Sequence, residues 1–243
     1  MIDSLSEDCI KFPPTSKALP QGSDAPGLLA AGGALTPEWL YAAYSRGIFP
    51  WFSQGQPLLW WSTDPRMVLQ TQQFKVSRSL RKTLYRFMMN AGCEIRIDHN
   101  KATVLQSCAG IAREGQNDTW ILPSMQTAYG QWERCHSIET WVDGQLMGGL
   151  YCINLGGMVY GESMFSHASD MSKIALAALV CFCLEHGIEW IDCQQNTAHL
   201  ASLGATPLPR AEFEAHLTRV VPQQGPAVWT YDRAMWRHLR LIS

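Results

Sequence analysis

The stretch from Met171 to His186 is apolar along most of its length and runs through Gly187 into Ile188-Glu189-Trp190-Ile191-Asp192-Cys193-Gln194. Ser169-Asp170 can cap a helix at its start, and Gly187 can close it. The segment after the glycine reads as a strand that a long apolar helix would normally deliver to the core. A strand alternates its faces with a period of two, so Trp190, Asp192 and Gln194 are expected to point the same way. An acid and a neutral amide then stand side by side, next to an indole. A buried carboxylate is costly unless it is partnered. Two readings stay open: Asp192 lies at the exposed end of the strand and satisfies a loop, or it is held there for chemistry.

Upstream, Ile138 to Val142 runs into Asp143-Gly144 and on to Leu146–Tyr151, a strong hairpin signal. Gly156-Gly157 marks a turn before Met158 to Ser163. After the central strand come two short helical patterns, His199 to Leu203 and Arg210 to Val221. Hairpin, strand, long helix, strand, helix is the order of an α+β layer with a mixed central sheet, as in acyltransferases of the GNAT kind. Nearer the N-terminus, Thr36-Pro37 opens a helix through Trp39, Leu40, Ala43 and Tyr44 that stops near Gly47. A rigid aromatic segment with Trp51, Trp60 and Trp61 follows. The boundary is placed near Ser62 to Asp64, giving a small N-terminal domain (1–63) and a catalytic domain (64–243).

The chain has 243 residues and is 47% hydrophobic, enough for a sizeable core. No apolar run reaches the length of a membrane span, and the acidic N-terminus lacks the layout of a secretory signal. The eight cysteines form no Cys-x-x-Cys pair and the seven histidines no ligand cluster. No metal or cofactor is therefore expected, and a reduced, cytoplasmic setting is. Net charge is −2, yet Lys75 to Arg113 holds eight basic residues against two acids. That local excess of +6 leaves −8 for the remainder, and such a patch attracts phosphates. Within it a helix is expected over about 77–89. Leu80, Leu84, Phe87 and Met88 form its apolar face and Arg78, Arg81, Lys82 and Arg86 a basic ridge. The competing reading of that ridge is a solvated helix face.

Long motifs then carry a resemblance. Gly47-Ile48-Phe49-Pro50-Trp51, Leu59 to Arg66, Gly161-Glu162-Ser163-Met164-Phe165-Ser166, Ile191-Asp192-Cys193-Gln194 and His199 to Ala205 occur in this order. Together they resemble the leucyl/phenylalanyl-tRNA–protein transferases, over about Leu28 to Phe213. The resemblance implies an enzyme that moves Leu or Phe, and less well Met, from aminoacyl-tRNA onto proteins beginning with Arg or Lys. Its products are marked for N-end-rule degradation, and the enzyme is a monomer. It also implies a GNAT-like domain that does not use acyl-CoA. Asp192 and Gln194 match the family's catalytic pair and Glu162 its acid. Tyr44, Trp51 and Trp120 match aromatic positions around the terminal adenosine and peptide. Leu150, Met164 and Ile191 match the pocket for the transferred side chain, and the ridge on 77–89 matches the tRNA-binding region. Thr63 departs from the family's usual Pro.

Aminolysis of an aminoacyl ester is downhill and needs a neutral amine, correct placement and help for the leaving ribose oxygen. Asp192 with Gln194 is expected to hold and deprotonate the amine, and Glu162 to pair with the basic acceptor side chain. Two rivals are an acyl-CoA-dependent N-acyltransferase on the same fold and a non-catalytic tRNA- or peptide-binding module. The first is disfavoured because the glycine spacing of a pyrophosphate loop is missing.

Overall fold

The computed structural model describes residues 2–111 and 121–239. In chain order the elements are β1 (Asp3–Leu5), β2 (Leu28–Gly32), α1 (Pro37–Tyr44), β3 (Phe49–Pro50), β4 (Leu59–Trp61), β5 (Arg66–Gln70), α2 (Arg78–Met89), β6 (Cys93–Ile97) and α3 (Lys101–Ala109). They continue with α4 (Pro123–Gln131), β7 (Cys135–Val142), β8 (Gln145–Leu155), β9 (Met158–Ser166), α5 (Met171–Glu185), β10 (Trp190–Gln194), α6 (Ala198–Ser202), β11 (Thr206–Leu208) and α7 (Arg210–Val220).

Two sheets form. The small one has the order β1-β2-β4-β3, and the large one β11-β5-β10-β9-β8-β7-β6. In the large sheet every neighbouring pair is antiparallel except β9 and β10. A parallel pair needs a long crossover, and α5 is that crossover. The mixed sheet flanked by helices, behind a small N-terminal unit, is the α+β layering expected from the order of elements.

Local chemistry accounts for the elements that matter to the site. Asp143 (φ 49°) and Gly144 (φ 76°) make the tight turn between β7 and β8, as the Asp-Gly signal predicts. Ser77 caps α2 by accepting from Leu80 N–H at 3.2 Å. Every residue of α5 from Ile174 to Cys183 is buried, because the helix lies on β7–β9 and is covered in turn by the chain's last turns. There Trp229 packs 4.4 Å from Phe182, and Met235 and Trp236 are buried. A helix apolar on all sides belongs between two such layers. Asp170 departs from the capping expectation. It sits at φ 66° without capping, and its carboxylate binds Lys173 at 2.7 Å and Thr83 at 3.2 Å.

The large sheet separates two apolar clusters. One joins α1, α3, α4 and α7 to the small sheet through Leu40, Tyr44, Trp60, Tyr129 and Phe213; the other packs α2 and α5 through Leu84, Phe87, Leu179 and Phe182. Among the described residues no helix is long and apolar enough to cross a membrane.

Candidate active site

The site opens where the parallel pair comes apart. β9 and β10 are in register at Val159–Ile191 and Tyr160–Asp192 only. Past Asp192 the strand bulges: Asp192 Oδ1 accepts the Gln194 backbone N–H at 2.9 Å, and Gln194 takes φ 54°. The register against β5 shifts at the same point. A left-handed conformation at a non-glycine residue costs on the order of 1–3 kcal/mol. Here it is held by the Asp192 contact and by Thr63, whose hydroxyl donates to the Gln194 carbonyl at 3.0 Å. Thr63 thus supplies a bond that a proline at this position could not.

The bulge corrects the alternation read from the sequence. Asp192 and Gln194 do not share a surface. Gln194 joins Ile191 and Cys193 on the cavity side, whereas Asp192 is fully buried on the other face. There Arg66 Nε donates to Asp192 Oδ1 at 2.8 Å and Arg66 Nη2 to Oδ2 at 2.7 Å. The guanidinium also donates to the Gly47 carbonyl at 3.0 Å and lies between the Phe49 and Phe213 rings, 4.7 and 4.8 Å from their centroids. Gly47 (φ 72°) permits this close approach, since an added Cβ would meet the Phe213 ring at 3.0 Å. Neither open reading of Asp192 survives in full: the acid is not at an exposed end, and both of its oxygens are committed to protein donors. Arg66 belongs to one of the sequence motifs, but nothing local in the chain assigns it a role. The signal that points to it is a lone cation ahead of the apolar Met67-Val68-Leu69, with a lone acid in another core strand.

On the opened side is a cavity of about 300 Å³. Leu150, Met164 and Ile191 line it with Leu176 and Leu179 of α5, Trp51 forms part of its wall, and Glu162 and Gln194 supply polar groups. Gln194 Nε2 donates to Glu162 Oε1 at 3.3 Å, bridging the gap between β9 and β10. Burial pushes the Glu162 carboxyl up to about 8, against a smaller lowering by a hydrogen bond from Tyr44. The Tyr44 and Tyr129 hydroxyls share a hydrogen bond of 2.7 Å.

Two expectations change accordingly. Tyr44 is completely buried and hydrogen-bonded to Tyr129, so its ring is closed off from a ligand. With its carboxyl raised to about 8, Glu162 is only partly ionised at neutral pH, which suits it poorly as a fixed counter-charge for a basic side chain. Trp120 lies outside the described residues, as does Arg113 of the basic stretch. Sequence reasoning does not single out Tyr129 or Tyr151; Tyr151 lines the cavity wall, and its hydroxyl is buried without a hydrogen-bond partner among the described residues.

Arg78, Arg81, Lys82 and Arg86 are all exposed on α2. Contacts run from this helix to α5. Thr83 bonds Asp170, Asp170 bonds Lys173, and burial together with Lys173 lowers the pKa of His199, which lines the cavity.

Comparison with known proteins gives the same answer over nearly the whole length. The family described as leucyl/phenylalanyl-tRNA protein transferase matches residues 68–218, and that family's N-terminal domain matches residues 33–64. A leucyl/phenylalanyl-tRNA–protein transferase of Methylibium petroleiphilum is 60% identical over 233 residues, covering 95% of this chain and 88% of its own. One of Leptothrix cholodnii is 59% identical over 235 residues, covering 96% and 92%. Among solved structures, a GCN5-related N-acetyltransferase from Kribbella flavida overlaps 69% of this chain and 59% of its own at 12% identity and a TM-score of 0.33, a likeness too weak to carry a functional reading. The buried Arg66–Asp192 pair, the bulge at Gln194 and the cavity bridged by Glu162 are thus features of a chain that belongs to the leucyl/phenylalanyl-tRNA–protein transferase family.

Proposed function

We propose that this enzyme transfers Leu or Phe, and less well Met, from aminoacyl-tRNA to the N-terminal Arg or Lys of acceptor proteins. It acts in the cytoplasm as a monomer, and its products are destined for N-end-rule degradation. The observation that carries this reading is the Gln194–Glu162 bridge at an apolar cavity sized for one amino-acid side chain. Residues 1–63 act as a small domain that contributes Trp51, and residues 64–243 carry the reacting groups.

In this mechanism Leu150, Met164 and Ile191 hold the transferred side chain, with the flexible Met admitting two shapes. Trp51 and Trp120 stack on the terminal adenosine, and the α2 ridge holds the tRNA backbone. An α-amino group titrates at roughly 7.7–8.0, close to the Glu162 carboxyl. Proton transfer from the amine to the ionised fraction of Glu162, which grows as pH rises toward 8, is therefore nearly balanced and suits general-base catalysis. Gln194, donating to Glu162, turns its amide oxygen toward the amine and orients it. Asp192 does not touch substrate. It shapes the bulge that delivers Gln194 and neutralises Arg66, so it is a positioning residue.

Labelled Phe-tRNA or labelled acetyl-CoA, mixed with the enzyme and a peptide beginning with Arg, tests this. Label is expected on the peptide from Phe-tRNA only. Transfer from acetyl-CoA, or from neither donor, refutes it.

A further inference from the structure

A second hollow of about 580 Å³ lies beside the first, with Phe49, Trp51, Gln194 and Gln195 common to both. Its own lining includes Gln21, Asp24, Trp61, Thr63 and Asn196. A chain entering here arrives at Gln194, where the amine must react. Asp24 is the one charged side chain among its lining residues. It is exposed, and among the described residues it has no hydrogen-bond or ion-pair partner. Trp51 and Trp61 supply two indoles 5.2 Å apart, fixed by the Trp61 Nε1 donation to the Trp51 carbonyl at 2.6 Å. Gln21 is anchored through its amide nitrogen to the Asp64 carbonyl at 2.7 Å.

A free carboxylate beside indole faces is chemistry that recognises a guanidinium or an ammonium. It is unfavourable for a phosphate, so the polyanionic end of a tRNA is directed away from this hollow. We propose that the second hollow binds the side chain of the acceptor's basic first residue, with Asp24 as its counter-charge and Trp61 as its wall. The proposal rests on the transferase reading above and names the subsite that Glu162, only partly ionised at neutral pH, does not provide.

The test compares peptides that begin with Arg, Lys or citrulline, the last being an uncharged isostere of Arg. Phe is supplied from labelled Phe-tRNA, and wild type, Asp24→Asn and Asp24→Glu are assayed. Wild type is expected to favour Arg over citrulline by about 10-fold or more in kcat/KM, the scale of one charge-assisted contact. Asp24→Asn reduces that preference to near unity through KM for the Arg peptide, with kcat and KM for Phe-tRNA unchanged. Asp24→Glu retains most of the preference. An Asp24→Asn enzyme that still discriminates Arg from citrulline overturns the Asp24 assignment while leaving the transferase reading intact. So does one whose KM rises for Phe-tRNA instead, which would make the hollow an adenosine site. Failure of wild type to label any peptide overturns the transferase reading itself.

Discussion

Burial holds the Glu162 carboxyl near 8, against an ordinary value of 4.5. Between those values the folded chain keeps a proton that the unfolded chain has released, so stability falls as pH rises through that window. Above it, the whole cost of a buried carboxylate is present. Glu162→Gln removes that cost. Its melting temperature should track wild type near pH 4.5 and exceed it by a margin that grows until about pH 8. Thermal melts across that range check this, and a margin that stays flat would show that Glu162 does not titrate in the fold. The same substitution removes the proposed base and should lower kcat by about 10²-fold or more. Tyr44→Phe separates holding from reacting. It keeps the carboxyl but deletes the hydrogen bond that restrains its pKa, so the limb of the pH–kcat profile should move to higher pH. An unmoved limb would assign Tyr44 to packing alone.

Period-two alternation puts Asp192 and Gln194 on one surface of β10, and the folded strand divides them because Asp192 accepts from the backbone N–H two residues on. A local side-chain contact of this kind competes with the ladder and is invisible to a periodicity argument. The hairpin at Asp143-Gly144, the helix over about 77–89 and the apolar character of α5 are legible in the sequence, because each depends on residues close together in the chain. The Arg66–Asp192 pair spans 126 positions and is not. The cavity is legible in part: the motifs name Leu150, Met164 and Ile191, while Leu176 and Leu179 come from a helix face that only packing selects. β8, β9, β10 and α5 each contribute to that wall, so its volume can be changed from one strand. Leu150→Phe fills the apolar end. Each misfit methylene is worth roughly 1–3 kcal/mol, so Phe transfer should fall by at least about 10-fold relative to Leu transfer. Competition between Leu-tRNA and Phe-tRNA measures that ratio, and an unchanged ratio would place the transferred side chain elsewhere.

The molecule carries its charge unevenly. Net charge is −2, but the 75–113 segment alone is +6, and the fold displays Arg78, Arg81, Lys82 and Arg86 on the exposed side of α2. Composition locates this excess; the three-dimensional arrangement links it to α5 through Thr83, Asp170 and Lys173. Asp24 carries the opposite sign at the second hollow, which shares Trp51 and Gln194 with the apolar cavity. On the proposed reading, two substrates of opposite charge have separate approaches to one reacting centre. If the ridge holds tRNA phosphates, released counterions make binding fall steeply with salt, by a slope of about 0.7–0.9 per phosphate neutralised. Replacing Arg78, Lys82 and Arg86 by Gln should raise KM for Phe-tRNA and flatten its log–log dependence on salt by about that amount for each phosphate no longer neutralised. The KM for an Arg-starting peptide and the kcat at saturating tRNA should stay as in wild type. Steady-state kinetics at several salt concentrations measure all three quantities together, and a salt slope equal to wild type would return the ridge to an ordinary solvated helix face.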